Sequence, residues 1–468
     1  MNRPLVLLLL ALLIPQGATR ADDTLKAAPT RPESGKSASI VAAAETDPWV
    51  CFDGKLRWSA QERLRGEIRE NNFDFNRAVN AVTDDAWALQ RFRLGLTAQP
   101  FAPLTLMAEG QDSREFGSDR PNVPGALGAE GDDEFDLRQA WMQIADGVTF
   151  PVGLKVGRMP WNYGDQRLIG DFDWNNIGRV FDGLVAFAEI GKGRLDLFFG
   201  SPVIIQPTNL NPDDGHDRLA GAYFSTKEWL GQTTEVYVLH RRHTNAINNG
   251  QAQETWTPGV RMSSLPGAYD GWDYEGEFAG QAGTVASSTT PLVSKPHEAF
   301  AFHLQGGYTW TEMTWKPRIG LLYDYASGNA NPNGSTDTSF QNLFPTNHKF
   351  YGGMDLFAWR NLHDGAISFG IEPWKGVSAK LDLHTFWLAE TADAWYRANG
   401  WTPVRPAASG REVSGHLGEE VDLVLGWKIN RFLTLGGGYS HFFTGGFVRA
   451  TGPSSDADFG YLQLTAGF

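Results

Sequence analysis

The sequence predicts an all-β chain, a transmembrane antiparallel β-barrel of about 18 strands, because such barrels carry even numbers of short alternating segments. Three observations carry that prediction. The chain ends on Phe468 after a strictly alternating run, with Gly460, Leu462, Leu464, Ala466 and Phe468 on one face and Tyr461, Gln463, Thr465 and Gly467 on the other. From Gly54 onward, period-2 runs recur while 3.6-residue periodicity is weak, so strands dominate. The 468 residues include 53 Gly, 17 Trp and 29 Phe, with only 20% charged and a mean hydropathy of −0.32. That is the profile of a wall apolar on one side and polar on the other, with aromatic residues at its rims.

The elements follow in order. Arg3 and the apolar run Leu5–Ile14, closed by Thr19-Arg20-Ala21, read as a signal peptide over residues 1–21. The run is too short to cross a bilayer as a helix, and no later segment approaches the length a helix needs. Residues 22–53, rich in Ala, Ser and Thr, read as a mostly disordered periplasmic leader. The single cysteine, Cys51, excludes an internal disulfide. Residues 54–468 are assigned to the barrel, placed in a bacterial outer membrane with its lipid as surroundings.

Connections alternate in length. Short ones fall at Gln99–Pro103, Asp146–Pro151, Gly191–Gly193, Glu228–Thr233, Ser264–Gly271 and Ile429–Arg431. Long ones fall at about 67–84, 116–132, 160–182, 202–217, 243–255, 283–296, 327–346, 390–417 and 446–457. Short turns belong to the periplasmic side and long loops to the exterior. Period-2 reading gives one segment too many for an even count. The alternation of lengths fails only near 360–364, so 347–373 is read as one long strand with an irregular middle.

Alternation also assigns faces. In 86–98, Phe92, Leu94 and Leu96 face lipid while Arg91, Arg93 and Thr97 face the lumen. In 104–114, Glu109, Gln111 and Ser113 face in; in 318–326, Arg318 and Asp324; in 376–388, Lys380, Asp382 and His384; in 420–429, Glu420, Asp422 and Lys428. Lumen charges of both signs either pair and stiffen the wall or form a selectivity ring. Arg91, Arg93, Arg138 and Arg158 fall within the first five strands, which would make one wall basic. The long connection after Arg158 carries Arg167 and Arg179 among Asp165, Asp171, Asp173 and Asp182, with Trp161, Trp174, Asn175 and Asn176. Long polar, aromatic loops are often functional. This one is expected either to fold into the lumen or to lie on the surface with internal ion pairs.

GRMPWNYGDQRLIGDFDWNNIGR at 157–179, FPTNHKFYGGMDLFAWRNL at 344–362, LHTFWLAETADAWYRANG at 383–400 and GHLGEEVDLVLGWKINRFLTLGGGYSHFFTGGF at 415–447 resemble the bacterial alginate export family. The resemblance implies an outer-membrane porin passing an acidic polysaccharide or small anionic solute along an electropositive constriction. It implies roles for Arg138 in DLRQAW, Arg158 at the strand end, and Asp173 and Asn175 in DFDWNN. Asp173 and Asn175 would bond sugar hydroxyls or hold the arginines in place. The alternatives are a general non-selective porin and a barrel enzyme acting on lipid or glycan.

Other chemistry is not expected. The net charge of −14 argues against a nucleic-acid partner. No G-x-S-x-G elbow, P-loop or dinucleotide fingerprint occurs, so neither catalytic residue nor cofactor is expected. His240 and His243 lie on opposite faces of a strand, and Asp132-Asp133-Glu134 reads as a solvated acidic patch, so no metal is expected either. His384 beside Asp382 reads as a simple pair. Periplasmic export partners are left open.

Overall fold

A computed structural model describes residues 49–78, 83–125, 129–145, 151–229, 232–244, 251–286, 294–408 and 412–468. The expected signal peptide, most of the leader and most of the turn Asp146–Pro151 lie outside the described residues.

The wall consists of β1 (Leu56–Glu70), β2 (Asp85–Phe101), β3 (Leu104–Phe116), β4 (Asp133–Ala145), β5 (Val152–Met159) and β6 (Phe181–Ile190). It continues through β7 (Gly193–Pro202), β8 (Asp217–Thr226), β9 (Thr233–His243), β10 (Gln253–Ser263), β11 (Trp272–Ala286) and β12 (Ser294–Thr309). It ends with β13 (Arg318–Ala326), β14 (Leu362–Trp374), β15 (Val377–Trp387), β16 (His416–Lys428), β17 (Leu433–Thr444) and β18 (Ala457–Gly467). Each strand pairs antiparallel with the next, and β1 pairs with β18 from Gln61↔Gly467 to Glu70↔Asp458, closing the barrel. Closure leaves no sheet edge to desolvate in lipid. Val50–Cys51, at the end of the segment read as leader, already pairs with Arg57 and Leu56, and Trp49 stacks on Phe468 at 3.7 Å.

Side chains alternate as the sequence requires. Leu64, Leu94, Leu106, Leu321, Leu423 and Leu462 are exposed on the outer wall, while Arg65, Arg91, Gln111, Ser113, Asp324 and Glu420 are buried inside. Trp272, Trp310, Trp315, Trp374, Trp427 and Phe432 are exposed beside the short turns, where aromatic rings favour the membrane interface.

One element departs from expectation. Residues 347–373 are not one strand: Asn347–Lys349 is a 3-10 turn, residues 350–361 are irregular, and the strand starts at Leu362. Gly352, Asp355 and Asn361 hold φ values of 79°, 60° and 49°, which extended backbone does not tolerate. The apolar residues that suggested a strand, Tyr351, Met354, Leu356, Phe357 and Trp359, point instead into a lumen core. The connection is therefore 327–361 rather than 327–346. Its rings join Phe75, Phe386, Trp395, Phe442, Phe447 and Phe459, and the same buried cluster continues to Trp161, Phe181, Phe198, Tyr223 and Tyr237, so the hydrophobic core lies inside the barrel. Phe357 stacks on Phe386 at 3.7 Å.

Candidate functional site: a strut across the lumen

Residues 160–180 leave β5 at Met159 and return at the start of β6. The departure needs glycine at 157: φ is 127°, and a Cβ there would fall 2.1 Å from the Ala140 carbonyl oxygen. The segment runs inward, burying Trp161, Leu168, Ile169 and Ile177. Trp161 stacks on Phe181 at 4.4 Å. In the lumen it meets the 327–361 loop. Gly170 N–H donates to Phe344 O (2.8 Å), Phe344 N–H to Leu168 O (2.8 Å) and Thr346 N–H to Gln166 O (3.0 Å). The two loops are thus joined inside the barrel.

On one side stands a wall of buried guanidinium groups: Arg63 and Arg65 from β1, Arg91 and Arg93 from β2, and Arg138 from β4. Arg63 and Arg91 are directly cross-strand partners. Like charges so placed repel unless an anion intervenes. The loop supplies it. Asp173 meets Arg91 through both carboxylate oxygens (3.1 and 3.2 Å), Arg93 at 2.7 Å and Arg138 at 3.6 Å. Arg63 donates to the Asp173 carbonyl (2.7 Å) and Arg65 to the Trp174 carbonyl (2.6 Å). Arg65 also pairs with Glu67 and Glu130 and lies 3.9 Å over the Trp174 ring, against which His348 stacks at 3.8 Å. Burial raises the Asp173 pKa, but Arg91, Arg93, Arg138 and Arg63 outweigh it and hold the carboxyl below the usual range. The Asp173 side chain keeps 46% exposure, so the cluster opens to the lumen through this carboxylate. Arg63 Nε, Arg91 Nε, Arg93 Nη2 and Arg138 Nε are buried donors without partners.

The β13–β16 stretch of the wall has the opposite sign. Asp324, Asp364, Glu420 and Asp422 are buried there with His303 and His384. Arg167, at the other end of the loop, donates to Asp324 (3.2 Å) and the Tyr351 hydroxyl (3.2 Å) and lies 3.0 Å from His303 Nε2. Burial opposes its charge, yet Asp324, Tyr351 and Asp165 outweigh it and raise its pKa. The loop thus carries an acid toward the basic wall and a base toward the acidic one, and spans the lumen as a strut. Buried ions are tolerated only when paired this way.

The structure brings together Arg91, Arg93, Arg138, Asp173 and Asn175. The Asn175 carbonyl accepts from Arg63 (3.1 Å), and its side chain accepts from the backbone N–H of Ile177 and Gly178, fixing the turn. Arg158 stands apart: it grips Asp182 with two bonds (2.8 and 2.7 Å) and the Asn211 carbonyl (2.7 Å). Arg179 is also elsewhere, donating to the carbonyls of Gly170 and Pro345 and so stapling the two loops. Burial, then Arg241, lowers its pKa to about 10.

His384 bonds Asp364 (2.9 Å), not Asp382, which pairs with Lys380 at 2.8 Å. Asp133 is buried against Asn211 rather than solvated.

Sequence reading missed Arg63 and Arg65. LRWSAQERLRGEIRE does alternate Arg63, Arg65, Glu67 and Arg69 with Leu64, Gly66 and Ile68, but no faces were assigned to this first strand, and a loop boundary set at 67 cut its pattern short. It also missed Glu130, which bonds Arg65 and the Asn176 backbone N–H, and the docking of 327–361 on the strut.

The family model for alginate export matches residues 56–461. No curated protein sequence matches the chain. Among solved structures, Acinetobacter baumannii OccAB1 superposes with a TM-score of 0.58 at 12% identity, covering 92% of this chain and 99% of that one. Pseudomonas aeruginosa OpdQ gives 0.57 at 13%, covering 88% and 97%. Pseudomonas aeruginosa OccK2 (OpdF), in complex with glucuronate, gives 0.55 at 12%, covering 88% and 98%. At these identities the likeness is one of fold.

Proposed function

The chain belongs to the alginate export family of outer-membrane β-barrel channels, and from that premise we propose that it passes an anionic solute, an acidic sugar or a polymer of such sugars, along the arginine wall. The observation that carries this reading is the Arg63–Arg91 cross-strand pair flanked by Arg93 and Arg138: Arg91, Arg93 and Arg138 hold a carboxylate that is half open to the lumen, and Arg63 its carbonyl. A site that seats the carboxylate of Asp173 has the donors and charge to seat that of a passing solute. Guanidinium groups suit carboxylates because their planar forks bond two oxygens at once. Several moderate contacts in succession serve passage better than one tight site. A barrel of this fold, OccK2, has been crystallised with glucuronate, a solute of this class.

Arg138→Glu should lower anion preference, read as a shift of reversal potential toward the cation side across a planar bilayer under a salt gradient. Unchanged selectivity would remove the arginine wall from the account. The second reading, a general porin, is favoured by the acidic wall and by the engagement of every wall arginine with the chain's own acceptors; it predicts near-zero reversal potential in the unmodified channel.

A further inference from the structure

At the rim where the 203–216 loop joins β7 to β8 and where β9 ends, three side chains away from the arginine wall converge. Asp217 opens β8 and His243 closes β9, and the two are register partners. Asp214 comes from the loop. Its carboxylate is oriented by a tight turn: His216 N–H donates to Asp214 Oδ1 (3.0 Å) and Asp217 N–H to the Asp214 carbonyl (3.0 Å). One ligand atom from each of the three lies within 4.8 Å of the others, and all three residues are buried.

A second observation points to a ligand. His243 is 2% exposed; a backbone hydrogen bond to Gln251 engages the ring, and its Nδ1 has no hydrogen-bond partner among the described residues. A buried ring nitrogen without a partner costs free energy that a bound ion would recover. Arg241 already bonds both Asp217 oxygens (2.9 and 2.6 Å), which fixes that carboxylate and leaves its remaining lone pairs for an ion.

We propose that Asp214, Asp217 and His243 bind a divalent transition-metal ion of the zinc class, with water completing its shell. The nitrogen decides the class: imidazole suits zinc and its neighbours, whereas calcium and magnesium take oxygen. Zinc–ligand distances of about 2.0–2.2 Å need only a modest contraction of the three groups. Arg241 also donates to the Leu343 carbonyl (3.3 Å), so an ion here would stiffen the 203–216 loop and, through Asp217 and Arg241, the 327–361 loop.

The test is zinc titration of the full-length barrel, purified in detergent and stripped with a chelator, read by calorimetry and by the thermal midpoint. One equivalent of zinc should bind and raise the midpoint, and calcium and magnesium should not match it. Asp214→Asn and His243→Gln should each weaken binding at least about tenfold, the scale on which even supporting residues of metal sites act. His240→Gln, on the outer face of the same strand, should bind as the parent does. If His243→Gln does not fold, Asp214→Asn, which alters only the loop, decides. No zinc binding by the parent, or parent-like binding by Asp214→Asn, overturns the proposal, as does equal binding of calcium.

Discussion

Asp173 decides how the arginine wall is charged where the strut meets it. Three guanidinium groups meet its carboxylate and a fourth meets its carbonyl. Asp173→Asn removes the negative charge while keeping the shape. The expected result is stronger anion preference, a shift of reversal potential opposite in sign to that of Arg138→Glu. The pairing also sets a pH dependence. The folded carboxyl titrates below its unfolded value, so its contribution is complete above the ordinary carboxylate range and is lost as pH falls through the depressed value. The parent channel should change conductance at strongly acid pH, and the Asn variant should lack that step. At this scale the sequence was half legible. Alternation placed Arg91 and Arg93 on the inner face, and the family resemblance added Arg138. It could not say that Arg167 and Arg179 turn away from them, because a loop residue's partners are set by where the loop docks.

The strands were legible element by element, since a two-residue period with one face in lipid leaves a repeated trace. The inward loops were not. The 327–361 loop buries Tyr351, Met354, Phe357 and Trp359 against the lumen side of the wall. Its apolar spacing therefore imitates a strand, and only the positive-φ positions 352, 355 and 361 expose the difference. This loop and the strut share one core, so damage to one should loosen both. Phe357→Ala removes a ring 3.7 Å from Phe386 and 5.3 Å from Trp395. A cavity of that kind costs about 3–5 kcal/mol. The barrel wall does not depend on it, so the effect should be larger conductance and faster proteolysis within 327–361, with strand content by circular dichroism unchanged.

For the molecule as a whole, the usual arrangement of a soluble protein is turned inside out, with leucines outside and paired ions within. A cation on the outer face is therefore the costly substitution. Leu423→Arg, mid-strand on β16, should lose roughly 2–4 kcal/mol of stability in a bilayer. Denaturant titration of the vesicle-inserted barrel measures it. The closure between β1 and β18 has a further consequence. The seam joins Leu64 to Leu464, residues that are neighbours only when everything between them is in place. Contacts of such long range form late, after much chain entropy has been surrendered. A partly delivered chain thus has two raw edges and no inside: until the final strand arrives there is no lumen to hold the strut and no wall to keep water from lipid. Insertion and completion should be one event, with the seam as its last stitch.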